Sequence, residues 1–576
     1  VTVVLQAALF GLAFAARDGA AAPRVSRLVR SPALFCVALA LMLISGRWPW
    51  LAVARELNPD ESLWLANASR YLRDIVPWRS TSSGTSGPLT PWLLAALSQC
   101  GAPLSYQTAH VTVAALQILV LCLTYTTIRM LAGDAPARLA TMPVACLLAR
   151  TGDQNFLHLS SEHVPLVLLA GSACAAATAA SRPETAVGWL FLAGVLAGAV
   201  AFAKLQALPL ALALTLLIAV GIRRTTLSGR HRLHAGAALV AGGIVVPLLV
   251  MGLVLTGGVV NEFWSLYIEA NLAYGDKTAN RGPLVARAAR LIADSPMIAT
   301  LCGMTATLTG LAAARCLTEW GDGRNGKAWP SLASAAALLA VAVFAVGKPG
   351  YPFRHYLMLL TLPCMLLAGA SLAQLLRPGD GCGRPGSFWR RFAVWKVLAF
   401  AAIVAVPAVV AIRCAAAGDV FLEGNQSTEY LAFLSSSPPS AESRVISGMT
   451  LPHDEIAVWG WRPDIYIESG RRPAVRDVDS GCCILPGPFR ESARRKFLED
   501  LQRNEPRIFV DAVCRAGHVV GTAKVFGPEL VDRRVGGHET FPELRDYVAR
   551  HYVGREQVLY YKSSIRIYER RDAPPR

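Results

Sequence analysis

The tetrapeptide Asn58-Pro59-Asp60-Glu61 places two adjacent carboxylates a few residues beyond an apolar segment that runs from about Ser31 to Leu51. A carboxylate at the mouth of a membrane span can take the proton of an attacking hydroxyl as the attack proceeds. The same residues also make a good helix start. Asn stands at the N-cap, Pro at the first helical position, and Glu three residues after the cap in a capping-box pattern. Acidic groups in a first turn suit the helix dipole, by roughly 0.3–1 kcal/mol. Capping accounts for Asn58, Pro59 and Glu61, and leaves only Asp60 needing another explanation.

Three more places combine residue types suited to chemistry. The run Phe156-Leu157-His158-Leu159-Ser160-Ser161-Glu162-His163 ends in a Glu-His pair at the start of an apolar stretch. Glu162 and His163 read either as a helix cap or as site residues, and His158 is a weaker candidate. A Glu and a His can hold a divalent cation together, but no H-x-x-x-H or related spacing supports a metal here. Lys204 in Phe202-Ala203-Lys204-Leu205-Gln206, Lys348, and Arg354 in Arg354-His355-Tyr356-Leu357 supply cations. Cationic donors aimed at a leaving phosphate contribute most where water is scarce. The alternatives are that Lys204 marks a loop and snorkels to the interface and that Arg354 anchors a span end. Glu262, Trp264, Tyr267, Glu269, Asn271, Tyr274, Asp276 and Lys277 suit contact with sugar rings, but a solvated amphipathic helix is the preferred reading. Trp459 and Trp461 read as packing residues of strands.

The elements that must position these groups are membrane helices. The chain has 576 residues, 53% hydrophobic and only 16% charged, with a mean hydropathy of +0.40. Its apolar runs have the length needed to cross hydrocarbon. Spans are expected near residues 33–51, 107–130, 139–151, 163–181, 186–203, 205–222, 235–257, 291–314, 330–347, 355–375 and 396–412, about eleven by the usual length of roughly 20 residues. If residues 2–16 also span, the count is about twelve. Lys and Arg of short loops favour the cytoplasmic side, and Arg24, Arg27 and Arg30, Arg129 and Arg138, Arg182, Arg223 to Arg232, Arg315 to Lys327, and Arg377 to Lys396 all fall on one face. Asp60 and Glu61 then face the opposite, extracytoplasmic side. The net charge of +17 is partly this topology, and no nucleic-acid partner is implied.

After Cys414 the hydropathy collapses, dividing the chain into a membrane domain, 1–412, and a soluble extracytoplasmic α/β domain, 413–576. Strands are expected at Arg444–Ser447, Glu455–Trp459, Pro506–Val510 and Ser564–Tyr568, and an amphipathic helix from Phe541 to Tyr552. The long first loop, 52–106, carries two interfacial helices, over Asp60–Asp74 and from Pro91 to Leu97. Cys482, Cys483 and Cys514 fall in an oxidising compartment under this topology. A disulfide from Cys482 or Cys483 to Cys514 is one reading, and a zinc site a weaker one. Asn67-Ala68-Ser69 and Asn425-Gln426-Ser427 match glycosylation acceptors, but nothing else suggests a eukaryotic secretory protein.

The acidic pair after the first span, the interfacial helix, the Gly84-Thr85-Ser86-Gly87-Pro88-Leu89-Thr90-Pro91-Trp92 stretch, the Glu162 motif, Lys204 and Arg354-His355-Tyr356 resemble, in order and sidedness, the GT-C superfamily of integral membrane glycosyltransferases. The pattern is nearest to glycosyltransferase family 39, the protein O-mannosyltransferase and aminoarabinose-transferase type. It covers roughly residues 33–375 and extends weakly to Val458–Tyr466 and Gly470–Pro473.

The resemblance implies a mainly α polytopic membrane protein that moves a sugar from a polyprenyl-phosphate carrier to a hydroxyl of a glycan, lipid or protein acceptor, with inversion by direct displacement, at a bacterial inner membrane. Asp60 would be the base, with Glu61 positioning it or a bound cation. Glu162, His163, Lys204, Lys348, Arg354, His355 and Tyr356 would bind substrate. It implies no definite cofactor, and a divalent cation, held by Glu162 and His163 if present, is optional. Two other readings stay open at this point: a transporter or flippase for a lipid-linked glycan, and a membrane-anchored assembly factor. Transporters usually show paired repeats and polar groups near the midplane, whereas the ionisable residues here gather at span ends.

Overall fold

The computed structural model describes residues 31–82, 85–224, 228–276, 282–318, 328–377, 394–406, 408–409, 436–514, 528–560 and 563–573. Residues 2–16, Gly84, Lys277, the Asn425 triplet and the basic residues Arg24, Arg27, Arg30, Arg324, Lys327, Arg384, Arg390 and Arg391 lie outside them.

Among the described residues nine helices are long and apolar enough to cross a membrane: Pro32–Leu51, Tyr106–Ala132, His163–Ser181, Pro183–Ala203, Leu205–Arg224, Gly229–Thr256, Pro296–Thr318, Pro330–Gly347 and Arg354–Leu375. This is a multi-pass membrane protein. The nine correspond to nine of the eleven expected spans, and the other two differ. The segment expected at 139–151 is a helix of 17 residues, Asp134–Arg150, buried from Pro136 to Ala149. At 17 residues it is shorter than the roughly 20 that cross hydrocarbon unaided. Arg138 pairs with Asp134 at 2.7 Å and lies 5.0 Å from the centre of the Phe35 ring. The segment expected at 396–412 is a helix over Val394–Val406, and most of its remainder lies outside the described residues.

The described residues gather into two compact units. One takes residues up to 52 with 111–249 and 277–431, and the other takes 53–110, 250–276 and 432–576. In the first unit, small residues let helix backbones touch. A Cβ on Gly198 would lie 2.2 Å from the Gly243 carbonyl oxygen, and one on Gly194 would lie 2.1 Å from that of Leu239. Gly194-x-x-x-Gly198 is thus a close-packing seam between two spans. Arg315, read from the sequence as a loop charge, is buried and donates to the carbonyls of Gln374 and Leu375 at 2.7 and 2.9 Å. It thereby satisfies the end of the Thr361–Leu375 helix.

In the second unit a five-stranded mixed sheet runs in the order β2-β1-β3-β5-β4, with β1 Glu455–Trp459, β2 Arg472–Pro473, β3 Ile508–Asp511, β4 Tyr552–Tyr560 and β5 Ser563–Arg570. β1 is parallel to β2 and β3, while β5 is antiparallel to β3 and β4. Alternation along the strands sends Ala457, Trp459 and Phe509 to one core and Ile456, Val458, Ile508 and Val510 to the other. The sequence at Arg444–Ser447 is helical, within Ala441–Met449, where Glu442, Ser443 and Ile446 are buried at the spacing of one helix face and not at the alternation of a strand. Gly460, at φ +135°, follows β1 where a Cβ would meet the Ala512 backbone at 2.8 Å, a turn that only glycine makes at ease.

The three cysteines of this region are free thiols. Cys483 packs in one core and Cys514 in the other, so the sheet lies between them and the expected disulfide does not form. Asn67 is also buried, which closes its acceptor triplet.

Candidate functional site

The helix Pro59–Tyr71 begins as its residues dictate. The Asn58 side-chain oxygen accepts the Asp60 N–H at 3.1 Å, and Pro59 occupies the first turn. Glu61 closes the start from inside, but one residue earlier than a capping box requires, accepting the Leu57 N–H at 2.8 Å. The buried His110 Nε2 lies 3.1 Å from the other carboxylate oxygen. Glu61 is fully enclosed and occupied by structure. Asp60, on the same turn, is half-buried.

In the first unit the other motifs meet. Glu162 and Lys204 form a buried ion pair, and the Lys204 ammonium also donates to Ser161 Oγ at 2.7 Å and stands 4.9 Å from the centre of the Tyr356 ring. Lys204 therefore does not snorkel. Burial alone would raise the Glu162 carboxyl, but Lys204 and His355 outweigh it and hold the group at about 2. Arg354 Nη1 pairs with Asp153 at 3.0 Å, with 40% of the arginine side chain still exposed. His355 stacks on Phe353 with centroids 5.5 Å apart and meets the edge of His158 at 5.5 Å. His158 donates from Nδ1 to the Gln154 carbonyl at 2.7 Å. Among the described residues, His158 Nε2 and His355 Nδ1 have no hydrogen-bond partner.

His163 is committed elsewhere. The Gln117 amide nitrogen must donate, because it faces the Phe156 carbonyl at 3.1 Å, and the same group lies 3.1 Å from His163 Nε2. That leaves His163 Nδ1 to donate to Ser160 Oγ at 3.0 Å. With both ring nitrogens bonded and Glu162 closed by Lys204, this pair does not fit a metal ion. In the second unit Asp511, His538 and Glu539 offer ligand atoms within 4.8 Å of one another. Arg533 stands 3.5 Å from Asp511 and Arg566 pairs with Glu539, so that cluster is already neutralised by two guanidinium groups.

Lys348 is exposed, and among the described residues no side-chain bond ties it to the Glu162 cluster. The 262–276 segment mixes buried and exposed side chains, Tyr267 at 1% and Trp264 at 55%. Tyr267 is buried against Trp78 at 5.2 Å, and Glu262 pairs with Lys496 at 3.0 Å. Trp459 is likewise a core residue, its indole N–H donating to the Gly536 carbonyl at 2.8 Å.

Three contributors were not singled out from the sequence. Asp153 pairs with Arg354 and also accepts the Asn155 N–H at 2.9 Å. Arg47, buried inside the first described span, donates to the carbonyls of Leu148 and Phe156 at 2.9 and 3.0 Å. Together Arg47 and Gln117 hold Phe156, and so the loop that carries Asp153, His158 and Glu162. The available signal was an arginine within an apolar span, which is costly unless it bonds to carbonyls or a charge.

No protein-family profile matches the chain, and no curated protein matches it by sequence. Among solved structures the chain is similar to ArnT from Cupriavidus metallidurans bound to undecaprenyl phosphate, with a TM-score of 0.53 and 15% identity over 94% of this chain and 99% of that chain. The apo state of the same protein gives 0.53 and 14% over 93% and 98%. An oligosaccharyltransferase of Archaeoglobus fulgidus in its apo form gives 0.39 and 13% over 83% and 69%. The likeness to ArnT, an aminoarabinose transferase, takes in nearly the whole of both chains. The chain shares the fold of that transferase.

Proposed function

We propose that this protein is a membrane glycosyltransferase that takes a sugar from a polyprenyl-phosphate carrier and passes it, with inversion, to a hydroxyl of an extracytoplasmic glycan, lipid or protein acceptor of a bacterial cell envelope. The observation that carries the reading is the convergence of Glu162, Lys204, Arg354, His355 and Tyr356, from three distant stretches of sequence, on one polar cluster in a unit otherwise made of apolar spans. The ArnT structure that shares the fold was obtained with undecaprenyl phosphate, a carrier of the class proposed here.

In this reading Asp60 is the base. It is half-buried on the first turn, whereas Glu61 is fully enclosed. Arg354, with much of its side chain exposed, contacts the leaving phosphate, and Lys348 adds a second accessible cation. Lys204 acts differently from a free phosphate ligand: Glu162 neutralises it, so the pair sets the cluster's shape and polarity. The two unbonded imidazole nitrogens, on His158 and His355, supply further contacts to substrate. No step runs through a divalent cation.

The test is transfer in reconstituted membranes. Protein is given a polyprenyl-phosphate sugar and envelope acceptors, with Asp60→Asn compared to wild type and lipid translocation followed in parallel. Product formation by wild type that the near-isosteric change abolishes supports the reading. Undiminished turnover in Asp60→Asn removes Asp60 as the base, and lipid movement without transfer replaces the enzyme with a transporter.

A further inference from the structure

The helix that carries Asp60 is built into the carboxy-terminal sheet. Ala66, fully buried, and Leu63 pack with Ile446, Ile456, Val458, Ile465, Tyr466 and other residues on one face of that sheet. The two helices supplied to this face by the carboxy-terminal region itself, Ala441–Met449 and Asp464–Ser469, have nine and six residues. The thirteen-residue Pro59–Tyr71 helix packs beside Asp464–Ser469 and β2 and completes the layer.

Polar clips fix both ends of the helix. Before it, the Arg55 guanidinium joins the Glu468 carboxylate and the Pro438 carbonyl. Glu468 in turn accepts the Ser440 N–H at 2.8 Å. At its far end Arg70 donates to the Pro473 carbonyl at 2.8 Å and to that of Ser80, and Arg73 pairs with Glu455. Beyond the helix, the Ser82 N–H reaches the Arg476 carbonyl at 3.1 Å. A helix clipped at both ends and seated through a residue as small as alanine is free neither to roll nor to lift. Six residues separate Asp60 from Ala66, so at about 3.6 residues per turn Asp60 points roughly a third of a turn away from the sheet.

We propose that the carboxy-terminal sheet is the scaffold that sets the orientation of Asp60, with Ala66, Arg55 and Arg70 as positioning residues. The catalytic part of this inference rests on the function proposed above, whereas the structural part does not. The experiment uses the full chain in nanodiscs and reads two quantities: deuterium uptake by peptides covering 59–71, and the transfer rate at saturating and limiting donor. Ala66→Leu and Arg70→Met are expected to raise uptake at least tenfold in rate and to lower kcat about tenfold, with donor KM within twofold. Arg70→Lys, which keeps one donor for Pro473, is expected to recover most of both. Asp60→Asn is expected to lose turnover with uptake unchanged.

Uptake unaltered in both Ala66→Leu and Arg70→Met overturns the scaffold. Raised uptake with kcat intact overturns its link to Asp60. If wild type transfers no sugar, the function reading fails on its own, and uptake still decides whether the sheet holds the helix.

Discussion

Glu162 and Lys204 lie 42 residues apart in sequence and form an ion pair with both partners buried. Removing charges from water is costly, and such a pair holds only where the remaining donors are also satisfied. Ser161 Oγ and the Tyr356 ring provide that here.

The first prediction is a double-mutant cycle. Lys204→Met leaves a buried carboxylate without its counter-charge and is expected to cost about 3–5 kcal/mol. Lys204→Met with Glu162→Gln removes both charges and is expected to regain most of that loss. Chemical unfolding in detergent micelles measures the cycle, and strictly additive losses would contradict the pairing.

A pH dependence follows from the same pair. The Glu162 carboxyl is held at about 2 in the fold, below its ordinary 4.5. A carboxyl with a depressed folded-state value contributes stability that is fully present above the unfolded value and is lost as pH falls toward the folded one. Wild type is thus expected to lose thermal stability from about pH 4.5 downward. Glu162→Gln is expected to show a flatter acid slope over that window. Equal slopes would mean that Glu162 is not the titrating group.

Much of this arrangement was legible in the sequence because it is local. The Asn58 cap, Pro59 at the first turn and the enclosed Glu61 follow from residue types at fixed offsets, and the structure shifts only the Glu61 acceptor bond, from Asn58 to Leu57. Long apolar runs located the spans for the same reason. The partners of Lys204 and Arg354 were not legible, since each lies in a different segment and the choice is made by tertiary packing. Asp134–Arg150 reads as a span because Leu, Ala and Val dominate it, and its helix of 17 residues is shorter than the usual crossing length of roughly 20. β4 was missed because its middle, Arg555-Glu556-Gln557, is exposed and polar, without the alternation that marks a half-buried strand.

The glycine seam yields a third prediction. Gly198→Leu drives a side chain into the Gly243 carbonyl, 2.2 Å from where its Cβ would stand. Overpacking of this kind typically costs about 1–3 kcal/mol. Gly221, with nothing within 4 Å of an added Cβ, is the control: Gly221→Leu is expected to fold to wild-type yield. Folded fraction by size-exclusion chromatography in detergent compares the two.

Arg354 separates binding from stability. Its pair with Asp153 leaves 40% of the arginine side chain exposed but only 7% of the aspartate's. Arg354→Gln is therefore expected to lower the unfolding midpoint by less than Lys204→Met does, because one half of the pair is open to water and Asp153 keeps the Asn155 N–H. A charge-assisted hydrogen bond to a phosphate is worth about 1.5–3 kcal/mol, so under the proposed function the same change raises the donor KM tenfold or more. Asp153→Asn moves the other way. The amide oxygen still accepts the Asn155 N–H that Asp153 now caps, while the competing negative charge is gone, so donor KM is expected to fall. Steady-state kinetics over a donor series decide the point. A rise in KM for both variants would show that the pair itself, and not a released Arg354, is what the donor meets.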